Sequence, residues 1–277
     1  MEKLKKILAA FLLMSVLVLS ACSEEETLYD EIKDKGVLTV ATSGTLIAAS
    51  YYDDEDQLTG FDVEVAREVA NRLDLDVAFE VMSVDGMLPA VETGRVDLAA
   101  NDFSVTENRK EEFTFSEPYK YSYSTMVVRE SDYSGVYALE DLEGKINGGG
   151  ATTISSEIAR HFGAEVETYG NASNEAYLRD VSIGRTDVVV NDYYLIKFGV
   201  AAFPDFDIMM HPDLKFHPTE QALVMKKDET ELEAAVNEAL QAMRDDGTLS
   251  EIAIEFYGED ASKPTEADVE TIEGLDI

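Results

Sequence analysis

Residues 94–103 read GRVDLAANDF and residues 184–193 read GRTDVVVNDY, so one phrase occurs twice in the chain. Each copy runs Gly-Arg-x-Asp, three apolar residues, Asn-Asp and an aromatic. An apolar triplet between turn formers has the size of a buried strand, because strands covered on both faces read as continuous hydrophobic runs. Asn and Asp are also ordinary turn residues, so one copy alone would mark a strand end and little more. Two copies in matched surroundings point to a duplicated, two-lobed fold. In open α/β sheets, ligands sit in the crevice beyond the carboxyl ends of the strands. The two strand ends therefore bring Asp102 and Asp192, one from each lobe, to a single shared cleft.

The segments around the phrase repeat as well. VLTVA (37–41) and VAFEV (77–81) read as strands, with a helix at FDVEVAREVANRL (61–73) and another from Met87 to Thr93. Val65, Val69 and Leu73 fall four apart and give the first helix one apolar face. The second half answers with INGGG (146–150), ATTI (151–154) opening the helix SSEIARHF, the strand EVETY (165–169) and the helix AYLRDVSI (176–183). EVANRLDLDVAFEV (68–81) lines up with EIARHFGAEVETYG (157–170). Such alternation predicts an α/β protein in which each lobe is a small doubly wound parallel sheet with right-handed crossovers. YYDDEDQLTG (51–60) reads as a hairpin. SEPYKYSYSTMVVRE (116–130) leaves the first lobe and KFHPTEQALVMKK (215–227) returns, two crossings that make a hinge. The first lobe is thus expected over 36–121 and 221–258, the second over 122–220. Two amphipathic helices (231–258), split at Asp246-Gly247, are expected on the first lobe, and the acidic tail 259–277 is expected to be loose.

The amino terminus, MEKLKKILAAFLLMSVLVLSAC, begins with lysines and continues as an apolar run too short to span a bilayer comfortably. It has the build of an export signal over residues 1–21. Leu19-Ser20-Ala21-Cys22 resembles a bacterial lipobox, which makes Cys22 the expected lipidation site and residues 22–35 a tether. Cys22 is the single cysteine, so no disulfide framework exists. A net charge of −35, from 57 acidic and 22 basic residues, repels phosphate backbones and excludes nucleic-acid binding. The chain is expected on the outer face of a bacterial cytoplasmic membrane, touching the membrane through its lipid alone.

Past the first copy the chain continues SVTENRKEEFTFSEPY (104–119). Arg109 stands just beyond a strand end. It either pairs with Glu111 or Glu112 on the surface or offers its planar fork to a carboxylate. Together with LTGFDVEVAREVANRL, LEDLEGK followed by ATT, GRTDVVVND and DGTLSEIAIEFYG, this stretch resembles the polar amino-acid substrate-binding proteins of bacterial ABC importers. Those are periplasmic-binding-protein-like clamshells, similar also to the ligand domain of ionotropic glutamate receptors. The resemblance spans about residues 30–258. It implies a receptor, expected to act as a monomer, that binds a free amino acid between its lobes and delivers it to permease subunits. No cofactor and no metal are expected. Thr106-Glu107-Asn108-Arg109 matches the family's T-x-x-R motif, which assigns Arg109 to the ligand α-carboxylate, with Ser104 beside it. Asp192 stands where the family receives the α-ammonium. Thr152 and Thr153 open a helix, where hydroxyl and N–H groups favour an anion. Ser43 and Thr45 line the corresponding turn of the first lobe.

The chain departs from this pattern where selectivity is set. Leu46 and Ala49 occupy places where the family carries aromatics, and Val84 stands where a Trp or Phe is frequent. Phe103, Tyr193 and Tyr194 are candidates to compensate. Asp102 is a second acid, which points either to a ligand such as a basic amino acid or cystine, or into the hinge. Two competing readings stay open: a clamshell dehydratase acting on prephenate or arogenate, with Glu220 as its acid, and a ligand-sensing lipoprotein. His161, His211 and His217 form no nucleophile–base pair with a recognisable motif.

Overall fold

Thr27 starts the first helix, α1 (Leu28–Lys35), through a reciprocal cap with Asp30, and Gly36 stops it in the left-handed region at φ 68°. Ile32 on its inner face is fully buried, which contributes about 1.5–3 kcal/mol. The segment expected to be a tether therefore joins the folded body from Leu28 onwards. The structure is a computed structural model and describes residues 26–170 and 172–275; the expected signal (1–21) and Cys22 lie outside the described residues. Among the described residues no helix is long and apolar enough to cross a membrane.

In the first lobe, β1 (Val37–Thr42) is followed by a small antiparallel sheet of β2 (Thr45–Leu46), β3 (Ser50–Tyr52) and β4 (Leu58–Thr59). The last two form the expected hairpin. Next come α2 (Phe61–Arg72), β5 (Asp76–Val81), α3 (Val84–Glu92) and β6 (Leu98–Ala99), then α4 (Glu107–Glu112) and β7 (Phe113–Phe115). The chain leaves through β8 (Lys120–Val128). The second lobe contains β9 (Ile146–Gly149), α5 (Ile154–His161), β10 (Glu165–Thr168), α6 (Asn174–Ser182), β11 (Val189–Asp192), α7 (Tyr193–Ala202) and β12 (Met209–Met210). It returns along β13 (Phe216–Gln221) and β14 (Val224–Lys226), and α8 (Thr230–Asp246) and α9 (Thr248–Tyr257) close the first lobe.

The two sheets share one plan. In the first, β1 lies between β5 and β6, all parallel. In the second, β9 pairs parallel with β10 and meets the β11 segment through a parallel bridge between Asn147 and Val188. Parallel order holds for these three strands only. Beside β6 lies β14, and beside β11 lies β8, both antiparallel. Each lobe's fourth strand enters from the other lobe, so it runs against the three before it. β8 and β13 also pair with each other from Lys120–Gln221 to Ser124–Phe216, which makes the hinge a two-stranded ribbon.

The tail is not loose. The Tyr121 amide donates to the Ala261 carbonyl at 2.8 Å, and Glu270 exchanges backbone bonds with His217 and Lys215 at 2.7 and 2.9 Å. Ile272 and Leu275 pack against the second lobe's core. Apolar residues spaced through an acidic stretch supply enough burial to dock it.

Candidate functional site

The repeated phrase first does structural work, with a shared set of contacts in both lobes. Gly94 and Gly184 end α3 and α6 at φ 69° and 73°. Their amides close on Val91 and Val181 at 3.0 and 3.1 Å. Asp97 accepts the Thr39 amide at 2.7 Å, and Asp187 accepts the Ile146 amide at 2.9 Å. Each Asp thereby ties the incoming strand to its lobe's first strand. Arg95 reaches Glu80 on β5, and Arg185 reaches Glu167 on β10.

The copies part at Asn-Asp. Asn101 accepts the Ser43 amide at 2.9 Å and fixes the loop after β1. That loop runs into β2, so Ser43 and Thr45 do not sit on a strand–helix turn; the lobe's helix waits until Phe61. Asp102 takes φ 56°, a left-handed conformation that Asp tolerates better than most residues. Asp192 instead caps α7, its Oδ1 accepting the Tyr194 and Leu195 amides at 2.9 and 3.3 Å. Between the two carboxylates stands Lys120, which has no solvent exposure. Its Nζ donates to Asp102 Oδ1 at 2.5 Å and to Asp192 Oδ1 at 2.9 Å. Asp192 Oδ2 is buried and has no hydrogen-bond partner among the described residues. Tyr194 and Tyr257 cover the ammonium from behind, each ring centre 5.3 Å away. One layer deeper, Asp62 accepts the Tyr119 hydroxyl at 2.7 Å.

Burial governs the protonation of this cluster. Burial raises Asp62 to about 6, with Lys120 partly opposing it. Burial and then the neighbouring Asp192 push Asp102 well above the usual carboxylate range. Burial alone would lower Lys120, but Asp102, Asp192 and Asp62 outweigh it and hold the ammonium charged.

Across the cleft, Thr106 caps α4 and so fixes the backbone of Arg109. The guanidinium donates to the carbonyls of Ser104 at 3.0 Å and Thr152 at 3.3 Å, with its carbon 5.6 Å from the Phe103 ring centre. It pairs with neither Glu111 nor Glu112, and no carboxylate lies within ion-pair distance of it among the described residues. Burial lowers its pKa from the ordinary arginine value, the more distant Glu157 partly opposing.

Arg109, Asp102 and Asp192 face one cavity of about 130 Å³ between the lobes. Ser43, Thr45, Leu46, Val84, Phe103, Ser104 and Thr153 also line it. Thr153 caps α5 through the Ser156 amide at 3.3 Å. Thr152 is off the wall, because its hydroxyl and amide are held by Asp85 of the first lobe at 2.8 and 3.1 Å. Tyr193 and Tyr194 are also off the wall, stacked on Tyr123 and Tyr257 behind the cavity. Ala49 is buried and its carbonyl accepts the Asp62 amide. Besides Phe103, the aromatics that line the cavity are Tyr169 and Tyr177 of the second lobe, with ring centres 5.7 Å apart. Sequence reasoning missed them and Lys120; the Asn before each Asp was the signal that could have found Asn101.

The chain matches the model of the bacterial extracellular solute-binding proteins, family 3, over residues 38–259. It is 50% identical over 279 residues to the probable ABC transporter extracellular-binding protein YckB of Bacillus subtilis, covering 97% of each chain. It is 34% identical to the L-cystine-binding protein TcyA of the same organism, over 94% of this chain and 99% of that one. Among solved structures, the amino acid ABC transporter substrate-binding protein AbpA of Streptococcus pneumoniae, bound to L-arginine, superposes with a TM-score of 0.75. That pair is 28% identical over 84% of this chain and 100% of that one. With the clamshell, the cleft and these likenesses together, the chain belongs to the family 3 bacterial extracellular solute-binding proteins.

Proposed function

We propose that this protein is an extracytoplasmic receptor that binds a free polar amino acid between its lobes and hands it to the permease of an ABC importer. One observation carries the reading. The same cavity presents a guanidinium without an acid, Arg109, and a buried carboxylate oxygen without a donor, Asp192 Oδ2. The two belong to opposite lobes, and a zwitterion supplies the missing partner of each. Ser104 and the capped start of α5 at Thr153 lie on the carboxylate side, and Ser43, Leu46 and Phe103 border the ligand side chain. Asp102 and the relatives' ligands bring forward two classes, basic amino acids and cystine. Bridging both lobes, the ligand shifts an open ensemble towards the closed form, in which Asp85 meets Thr152. Residues 1–21 are removed, Cys22 carries the lipid, and the receptor works as a monomer.

A dehydratase needs an acid against the leaving hydroxyl. Glu220 is exposed on the hinge and does not line the cavity, which favours binding over catalysis. Arg109→Ala tests the reading by titration calorimetry. Charge-assisted hydrogen bonds contribute about 1.5–3 kcal/mol each, so losing a bidentate pair weakens binding by at least about a hundredfold. The melting temperature should hold, since the Arg109 guanidinium donates only to the Ser104 and Thr152 carbonyls. Unchanged affinity would remove Arg109 from the site.

A further inference from the structure

Lys120 has no task in the reading above, yet among the described residues it is the one cation in direct contact with both cavity acids. It sits at the start of the hinge strand β8, where a lysine turned outward would lie in water. Instead it is fully buried and joins a carboxylate of each lobe. Two acids on a cavity wall carry at most two negative charges and so call for at most two positive ones. The protein supplies one of them from behind. The ligand has to supply only the other, and its α-ammonium does so at Asp192 Oδ2.

The remainder of the wall agrees with this count. Three of the cavity-lining side chains are charged, Asp102, Asp192 and Arg109. The surfaces beyond them, such as Thr45, Leu46, Tyr169 and Tyr177, carry no carboxylate. Asp62 is absent from the wall: its Oδ1 accepts the Tyr119 hydroxyl, and its charge acts on Lys120 from the side away from the ligand. A guanidinium or second ammonium on a ligand side chain would be stripped of water without gaining a free acid, and an unpaired buried charge is strongly disfavoured.

Resting on the receptor reading, we infer that Lys120 is a specificity-determining residue, an internal counter-ion that reserves the site for amino acids whose side chain carries no net positive charge. Of the two ligand classes, this selects cystine and other neutral side chains over the basic ones.

Calorimetry at neutral pH with L-cystine, L-glutamine, L-methionine, L-arginine, L-lysine and L-ornithine tests the inference. The tightest ligand of the unaltered protein should come from the first three and exceed the best basic amino acid by at least tenfold. Lys120→Met, which leaves two acids without their counter-ion, should shift the arginine-to-glutamine affinity ratio at least tenfold towards arginine. Lys120→Met combined with Asp102→Asn restores the charge count and should restore the original ratio; it also serves if the single variant does not fold. A basic amino acid as the tightest ligand, or an unshifted ratio in Lys120→Met, overturns the role of Lys120 and leaves the receptor reading standing. Silence from every amino acid overturns both.

Discussion

The two copies of the repeated phrase agree in their first half and diverge in their second, and the division separates scaffold from site. Gly94 and Gly184, Asp97 and Asp187, and Arg95 and Arg185 share one set of contacts in the two lobes, to which the second lobe adds the Asp187–Arg129 and Arg185–Asp180 ion pairs. The Asn-Asp ends do not. Asp102 turns the chain in a left-handed conformation and leads towards Arg109, whereas Asp192 stays extended and caps a helix. A duplicated fold keeps the contacts that hold a strand in its sheet, because they are local to each lobe. The strand ends face the cleft, where the partner is the other lobe, and the two carboxylates meet different neighbours there. Lys120 marks the meeting point.

The largest expected effect probes that divergence. Removing one partner of a buried ion pair costs up to about 3–5 kcal/mol, because the other charge is left behind. Asp192→Ala should approach this range, since it loses the Lys120 contact together with a helix cap of ~1 kcal/mol. Asp102→Ala should cost at least about 1 kcal/mol less, since no cap is lost. It also relieves the repulsion from Asp192 that helps push the Asp102 carboxyl up. Urea unfolding of the two variants decides the matter. Equal losses would mean that the two strand ends are structurally interchangeable after all.

The agreement is tested by Asp97→Ala and Asp187→Ala. Each strips a backbone amide, Thr39 or Ile146, of its side-chain acceptor, at about 1–3 kcal/mol. The backbone-acceptor losses should match within ~0.5 kcal/mol, Asp187→Ala adding up to about 1 kcal/mol for its Arg129 ion pair, and the two should add in the double variant, since the sites lie in separate lobes and share no partner. A neutral result at either position would break the equivalence of the copies.

The same division explains how much could be read in the sequence. Strands, helices and the hinge follow from local patterns, and the repeat confirmed one lobe against the other. Arg109 and Asp192 each stand at a fixed place in a local motif, and both line the cavity. Lys120 was not legible: in KYSYS a lysine reads as a solvated hinge residue, and its partners are 18 and 72 positions away. Tyr193 and Tyr194 follow Asp192 directly, yet α7 turns them onto the hinge and α9, a matter of helix phase that the phrase does not record. The tail's acidic composition hid Ile272 and Leu275, whose burial depends on the second lobe's core being within reach.

The smallest effect is the most local and so the sharpest test of equivalence. Gly94 and Gly184 adopt the same left-handed conformation, and an added Cβ meets nothing within 4 Å at Gly94 and only Arg129 Nη1 at 3.9 Å at Gly184. Space is therefore not limiting, and substitution costs only the conformation, roughly 1–2 kcal/mol for Ala at either site. Asn, which tolerates the left-handed region, should cost less than Ala at both positions. Ligand affinity should not move, since neither glycine borders the cavity. A larger loss at Gly184 than at Gly94 would show that the second copy carries packing the first lacks, with the Arg129 contact as its source. Equal losses with unchanged binding would leave the Asn-Asp ends as the place where the two copies part.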